Sequence, residues 1–600
     1  MPPRRGPMAN APKLKKGEMS KNLKRLIKDF KPYYPQVIVS FICVTISVVL
    51  SIVAPQYLSD LSNVIVAGAG SQSIDLNEIQ RLAIILVVFY VSNALLSYIS
   101  GLIMTIVTQK YSKHLRQEIS LKINRMPLRY FDRKPYGDTL SFVTNDVDQI
   151  GQSLQQSVTM VVQSVFQLIG VLIAMFLTNY VMALTVLASV PLILIMLLVT
   201  MKFAMPLFSK RQKVLGEVNG IVEENITGQI IIKSYNAENI KGKQFDEANE
   251  NLHQTMFKAQ FFGGIMQPMT SFLSYFAYAA VCLVGGLLLV NTDSITFGTI
   301  TAFLVYVNLF QSPLSQVSQA MNTLQMAAAS SGRVFDLLDE EEISDESDKK
   351  DLLDINNIQG HVEFKNVKFG YTDKVVIKDF SANIKPGSKV AIVGPTGAGK
   401  TTIVNLLMRF YEVNSGDILI DGVSIKDMSR REIRNIFGMV LQDTWMFEGT
   451  LRENIVYSKK EISEERLKEI VHDASLSHYV ETLPNGLDTV IKEDSSMSAG
   501  QKQLITIARA MVENAPLLIL DEATSNIDTR TEIQVQEAMD KLVEGRTSFV
   551  IAHRLSTIKN ADLILVLKDG NIIEQGNHEE LLSNKGFYYD LYNSQFEGND

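Results

Sequence analysis

The sequence predicts two folds in series: an all-α domain of six membrane-crossing helices with long cytoplasmic extensions, then a soluble α/β domain. Three observations predict this. Before about residue 330, long apolar segments alternate with basic loops. After about residue 355 the pattern is that of a soluble mixed fold. Within that second part a glycine-rich loop lies between a short apolar run and a helical run. At 600 residues the chain is too long for one core. Its averages (46% hydrophobic, 20% charged, net charge −7) hide the division.

Residues 1–19 are rich in Pro, Lys and Arg and read as disordered. Over 20–34, Leu23, Leu26, Ile27 and Phe30 are interleaved with Lys21, Lys24, Arg25, Lys28 and Lys31, which suits an amphipathic helix lying on the membrane surface. No cleavable signal peptide is expected, because the start is basic and no short apolar region ends in small residues. Cys43 and Cys282 each lie in an apolar run, so neither a disulfide framework nor a metal-ligand spacing is present.

Six apolar stretches, near 36–57, 82–107, 154–178, 181–204, 264–290 and 297–320, are long enough to cross a bilayer, which takes about 20 residues. None has a charge at its middle. Two are interrupted by polar residues: Gln163 and Gln167 in the third, and Asn308, Gln311, Gln316 and Gln319 in the last. The connection 58–80 has no Lys or Arg, and neither do 178–180 and 291–296. The second-to-third connection carries Lys110, Lys113, Arg116, Lys122, Arg125, Arg129, Arg133 and Lys134, and the fourth-to-fifth is similarly basic. The excess of positive charge places both long connections and both termini in the cytoplasm. Those connections keep helical spacing over Tyr111 to Met126 and Val214 to Ile226, so the membrane helices are expected to continue beyond the bilayer. Breakers at Pro127 to Gly137 and at Gly228 predict short transverse helices at the tips, over Asp138 to Asp148 and Gln229 to Asn236. The membrane domain is therefore drawn as 20–337, an acidic linker as 338–356, and the soluble domain as 357–600.

In the soluble domain, Val390-Ala391-Ile392-Val393 reads as a buried strand, Gly394-Pro395-Thr396-Gly397-Ala398-Gly399-Lys400-Thr401 fits G-x-x-x-x-G-K-[ST], and Thr402 opens a helix. Glycines let the backbone wrap round phosphates, and a helix N-terminus adds partial positive charge. Lys400 is expected to reach the β- and γ-phosphates of ATP, and Thr401 to hold Mg²⁺. About 120 residues on, the apolar run Leu517 to Leu520 ends in Asp521 and Glu522. Asp521 is placed to steady Mg²⁺ through water, and Glu522 to accept a proton from attacking water.

With these parts in view, residues 20–595 resemble an ABC exporter half-transporter, one six-helix membrane domain fused to one nucleotide-binding domain with an ABC-type helical subdomain. Met497-Ser498-Ala499-Gly500-Gln501 occupies the signature position, usually Leu-Ser-Gly-Gly-Gln. The resemblance implies that Ser498, Gly500 and Gln501 serve ATP held by the opposite subunit. It implies too that Gln442 senses Mg²⁺ and attacking water, His553 the γ-phosphate, and Tyr371 stacks on adenine. Ser525-Asn526-Ile527-Asp528 would form a loop crossing to the partner, and the two tips would be coupling helices. The signature departs from the pattern at Met497 and Ala499, and Glu493-Asp494-Ser495-Ser496 before it lacks the usual Gly. With the phosphate loop, Glu522 and His553 intact, this resembles one subunit of the heterodimeric bacterial multidrug exporters, in which one of two composite ATP sites is weakened. A homodimer that tolerates the changes is the alternative. The resemblance implies alternating access driven by ATP hydrolysis, in a bacterial cytoplasmic membrane, with an amphipathic drug or lipid as substrate and no nucleic-acid partner. An ATP-gated channel or sensory protein is the rival from another class. No preceding peptidase domain or extra membrane domain is expected.

Overall fold

The computed structural model describes residues 17–71, 74–291, 295–372, 374–459, 462–492, 497–521, 528–551 and 555–596. The chain divides by contacts into two units: Met1–Met126 with Lys134–Glu341, and Pro127–Arg133 with Glu342–Asp600.

The first unit is helical. Its principal helices are Glu18–Asp29, Tyr34–Ser71, Leu76–Arg125, Val147–Thr178, Tyr180–Leu187, Ser189–Thr227, Glu238–Gly264, Met266–Asn291 and Phe297–Leu338. Among the described residues, Lys31–Gly70, Leu76–Arg125, Tyr136–Thr178 and Ser274–Asn291 are long and apolar enough to cross a membrane. The fourth and sixth predicted stretches are also helical, inside Tyr180–Leu187 with Ser189–Thr227 and inside Phe297–Leu338. Leu76–Arg125 and Ser189–Thr227 run on through the basic connections, so the expected extensions are present.

Two expectations change in the first unit. The amphipathic helix forms as Glu18–Asp29, but Leu26 and the following Phe30 are buried against protein. Phe30 packs tilted against Tyr111 at 4.6 Å between ring centres, and Arg25 lies 4.2 Å from the ring centre of Phe335 while pairing with Asp339 at 2.5 Å. Ile27 remains outward, 58% exposed. The first transverse helix is not at Asp138–Asp148. Those residues belong to a run that continues into Val147–Thr178 through Tyr136–Ser141 and a π-turn at Phe142–Asp146. The separate short helix is Leu128–Arg133, set between Pro127 and Pro135. The prolines bound that helix rather than precede it, which is where residues lacking an N–H are tolerated. By contacts Pro127–Arg133 belongs to the second unit, where the Tyr411 hydroxyl donates to the Asp132 carboxylate. Within the second expected segment, Gln229 to Asn236, a separate short helix forms at Gln229–Ser234.

The polar residues of the third and last membrane stretches meet each other. Pro313 lies inside Phe297–Leu338 and has no N–H to give the carbonyl of Leu309 four residues earlier. Gln167 supplies the missing donor, its Nε2 lying 3.1 Å from that carbonyl oxygen. Ser164 donates to Gln316 at 3.1 Å beside it. In hydrocarbon an unsatisfied carbonyl is costly, so this seam is what makes a proline tolerable there.

The second unit is built on a ten-stranded sheet. Its strands are β1 (Val362–Phe369), β2 (Ile377–Ile384), β3 (Lys389–Val393), β4 (Ser415–Ile420), β5 (Val423–Ser424), β6 (Phe437–Val440), then β9 (Leu517–Asp521), β10 (Thr547–Ile551), β11 (Leu563–Lys568) and β12 (Asn571–Gly576); β7 (Gly449–Thr450) and β8 (Val490–Ile491) pair separately. The order is β5-β4-β1-β2-β12-β11-β3-β10-β9-β6. Neighbours from β11 to β6 are parallel, and their residues are buried almost without interruption, as strands covered on both faces require. The remaining strands pair mostly antiparallel as a wing. Part of the predicted acidic linker is fixed to this unit. Glu346 pairs with Arg409 at 3.1 Å and Arg430 at 3.0 Å, and the amides of Leu352 and Leu353 donate to Glu432.

Candidate nucleotide site

The parallel strands deliver the predicted site to one edge of the sheet. β3 leads into Gly394, and the loop ends at the N-terminus of helix Lys400–Leu407. Two strands across, Asp521 closes β9, with Ile551 of β10 level with both Asp521 and Ile392. With strands spaced about 4.8 Å, Asp521 stands roughly 10 Å from β3 at that level. β6 lies outside β9, Val440 pairing with Leu520, so Gln442 emerges from the same edge two residues later. This is the carboxyl end of a parallel sheet, where such folds bind ligands.

The loop needs its glycines. Gly394, Gly397 and Gly399 have φ of 156°, 85° and 103°. A Cβ at Gly399 would lie 2.6 Å from Ile377 Cδ1, and one at Gly394 2.3 Å from the carbonyl oxygen of Leu567. The loop therefore cannot widen, and its inner side stays bare backbone. Lys400 curls back so that Nζ donates to the carbonyls of Gly394 at 2.6 Å and Pro395 at 3.3 Å. Burial pulls its pKa below the ordinary lysine value, and the charge of Asp521 partly offsets that. A half-buried ammonium held by neutral carbonyls fits a nucleotide phosphate as its natural counter-charge. Thr401 is exposed at the helix start, whereas Thr402 is buried and accepts from the Tyr371 hydroxyl at 3.3 Å.

Tyr371 is thus tied to the helix that follows the loop. Asn405 Nδ2 also donates to its hydroxyl at 3.1 Å, and Tyr411 packs edge-on at 5.0 Å. Asn405 was missed by motif reasoning; its one signal was its position four residues after Thr401, one helical turn on.

The signature residues stand at a second helix start. Ser498 caps Ala499–Glu513: the Gln501 amide donates to Ser498 Oγ at 3.2 Å, and the Ser498 amide to Gln501 Oε1 at 3.0 Å. Met497 packs into the core formed by that helix, while Ala499 is exposed and Gly500 buried. This core differs from the one holding the phosphate-loop helix. Asp528 caps Thr529–Val543, its carboxyl held below the ordinary range by the Thr531 N–H and hydroxyl. Glu522, Ser525 to Ile527, His553 and Glu493 to Ser496 lie outside the described residues.

Residues 37–314 match the ABC transporter transmembrane region and residues 377–525 the ABC transporter family. A fatty acid ABC transporter ATP-binding/permease protein of Mycobacterium bovis is 44% identical over 522 residues, 87% of this chain and 82% of that protein. The chain is an ABC exporter half-transporter. The half-transporter is also 33% identical to an ATP-dependent lipid A-core flippase of Syntrophus aciditrophicus, over 96% of this chain and 94% of the flippase. A bacterial Atm1-family ABC exporter solved with ATP bound superposes with a TM-score of 0.73 at 25% identity, covering 94% of the half-transporter and 98% of that chain. The half-transporter accordingly has the helical membrane domain and sheet-containing ATPase domain of that family.

Proposed function

We propose that the half-transporter is one subunit of a dimeric exporter that uses ATP to move lipid-like or other amphipathic molecules out across the bacterial cytoplasmic membrane by alternating access. The observation that carries the ATP-driven part is the meeting of the glycine loop, Asp521 and Gln442 at one sheet edge. The substrate class is supported by the names of two relatives, one a fatty acid transporter and one a lipid A-core flippase. Lys400 and the loop amides from Gly394 to Thr402 bind ATP phosphates, and Tyr371 receives adenine. Thr401, Gln442 and Asp521 hold Mg²⁺, which neutralises phosphate charge when bound. Glu522 takes the proton of attacking water and His553 contacts the γ-phosphate.

The dimer is supported by where the pieces lie. Ser498 and Gly500 are carried on a core separate from the phosphate loop, so a second chain can close on the nucleotide. Gln229–Ser234 presents Ile230 and Ile231, 82% and 65% exposed, and Tyr235 follows at 80%. That apolar tip suits the nucleotide domain of the partner subunit. The partner is non-identical. Ala499 adds an exposed Cβ where backbone must approach the partner's phosphate, which weakens one of the two sites. Both termini face the cytoplasm, as the Lys and Arg distribution directs.

Purified complex in proteoliposomes tests this. ATP should drive net movement of a fluorescent fatty acid or phospholipid analogue, and Glu522→Gln should stop both turnover and movement while keeping ATP binding. Normal steady-state hydrolysis by that variant would remove Glu522 from the proposed role. Copurification of a single polypeptide species would replace the heterodimer with a homodimer.

A further inference from the structure

The loop that carries Gln442 meets the signature helix through Met446, which packs into the core of that helix, and through the hydrogen bonds of Arg509. Arg509 lies in the third turn of Ala499–Glu513, and each nitrogen of its guanidinium donates a hydrogen bond. Nη1 donates to the Trp445 carbonyl at 2.8 Å, Nε to the Asn454 carbonyl at 2.5 Å, and Nη2 to Asn454 Oδ1 at 2.8 Å. The same group lies 5.8 Å and 5.5 Å from the ring centres of Phe447 and Tyr457, which stack on one another at 5.0 Å. Asn454, 1% exposed, grips Phe447 from both sides, accepting from its amide and donating to its carbonyl, each at 2.9 Å.

The loop is therefore clamped from Trp445 to Phe447 onto the helical part of the domain. Gln442 is separated from the clamp by Asp443 and Thr444, and from β6 by Leu441. Three peptide links span at most about 11 Å, so the path from Gln442 to the clamp is short. A shift of Gln442 toward a γ-phosphate pulls on Trp445, and Arg509 passes that pull to the helix whose first residues are the signature.

We infer that Arg509 is a positioning residue that couples the two composite ATP sites. It makes the placement of Ser498 and Gly500, which serve one site, depend on the state of Gln442 at the other. This rests on the dimeric two-site reading and on the role given to Gln442 there. A lysine cannot replace it, because the planar fork alone reaches both carbonyls and the amide oxygen together while lying against two rings.

The complete transporter in lipid nanodiscs tests this, with ATPase rate measured against ATP concentration for wild type, Arg509→Lys, Phe447→Leu and Gln442→Ala. Wild type should show positive cooperativity in ATP. Arg509→Lys should keep its melting temperature and its affinity for a fluorescent ATP analogue, yet lose cooperativity, the coupling between sites falling about fivefold or more. Phe447→Leu leaves the hydrogen bonds in place and should stay cooperative. A Hill coefficient of one in wild type, or a cooperative Arg509→Lys, overturns the proposal. So does loss of cooperativity in Arg509→Lys only together with loss of stability and nucleotide binding, which marks a purely structural role. Wild-type rate and cooperativity in Gln442→Ala overturn the underlying reading of Gln442. An impaired Gln442→Ala beside a cooperative Arg509→Lys overturns the Arg509 proposal alone.

Discussion

The two units solve opposite solvation problems with the same side chains. In the nucleotide unit the valines, leucines and isoleucines of β3, β9 and β10 are buried, and charge and polarity gather at the strand ends. In the membrane unit Val87, Val91 and Leu95 are 57–61% exposed, while Ser153, Ser164 and Gln167 are buried against other helices. Where lipid is the solvent, the outside is apolar and the informative residues are the buried polar ones. The consequence is energetic. In the nucleotide unit Glu346 is anchored by neighbouring charge, whereas in the membrane unit the Leu309 carbonyl is answered by a side chain of another helix.

The sharpest test of the nucleotide side is Lys400. Lys400→Ala removes the ammonium held at the mouth of the glycine loop. ATPase activity should fall about a hundredfold or more, since a preorganised cation at developing phosphate charge is among the larger catalytic terms. Circular dichroism should show the fold intact. Activity within a few-fold of wild type would mean that the loop is not where ATP reacts.

Next in size is Glu346, whose side chain is 11% exposed between Arg409 and Arg430. Burial opposes its charge, but the Arg430 amide, the two guanidinium groups and Lys349 outweigh that and hold its carboxyl below the ordinary range. Glu346→Gln should destabilise the nucleotide unit by about 1–3 kcal/mol, because Glu412 still balances Arg409 in part. The wild-type advantage over Glu346→Gln should be present above the ordinary glutamate range and fade as pH falls through the lower native value. A denaturation midpoint that does not shift, or a difference that grows in acid, would show this segment to be merely solvated.

How much of this the sequence disclosed follows from the same contrast. The glycine loop between a strand and a helix, and Asp521 at the end of β9, were legible because phosphate chemistry calls for those residue types at fixed spacing, whatever surrounds them. The membrane helices were legible because bilayer thickness sets a length. Leu128–Arg133 was not, because its prolines read equally as a break or as a boundary, and only tertiary contacts separate the two. Nor did the acidic composition of 338–356 reveal that Glu346 has a seat, since a charge run says nothing of its partners. Gln167 and Gln316 stood out as interruptions, but that Gln167 answers Pro313 depends on a register between two distant helices.

That register gives the membrane side its own test. Gln167→Leu alone orphans the Leu309 carbonyl and should cost about 1 kcal/mol, the scale of interhelical hydrogen bonds in bilayers. Pro313→Ala in that background restores a main-chain N–H to the same carbonyl and should recover most of the loss. Unfolding in mixed detergent, run as a double-mutant cycle, measures the coupling. Additive effects would show that Gln167 and Pro313 are independent.

The smallest expected effect lies in the C-terminal helices of the nucleotide unit, where Tyr588 packs with Val393 of β3 and Val566 of β11. His578 Nδ1 is 2.7 Å from the Tyr588 hydroxyl, which donates to it in the Nε2–H tautomer of the neutral imidazole. Burial lowers the pKa of His578 from its ordinary 6.5, and Lys559 lowers it further against the opposing charge of Glu579. The native state therefore binds fewer protons at this residue than the unfolded chain does. Its contribution is full above the ordinary histidine value and is lost as pH falls through the lower native one. His578→Gln keeps an acceptor that does not titrate. Between pH of about 7 and about 5.5, the thermal midpoint of the wild-type chain should drop more than that of His578→Gln, by a degree or so. Equal drops would mean that the proton goes elsewhere, and a larger drop in the variant would mean that the native state prefers the charged ring.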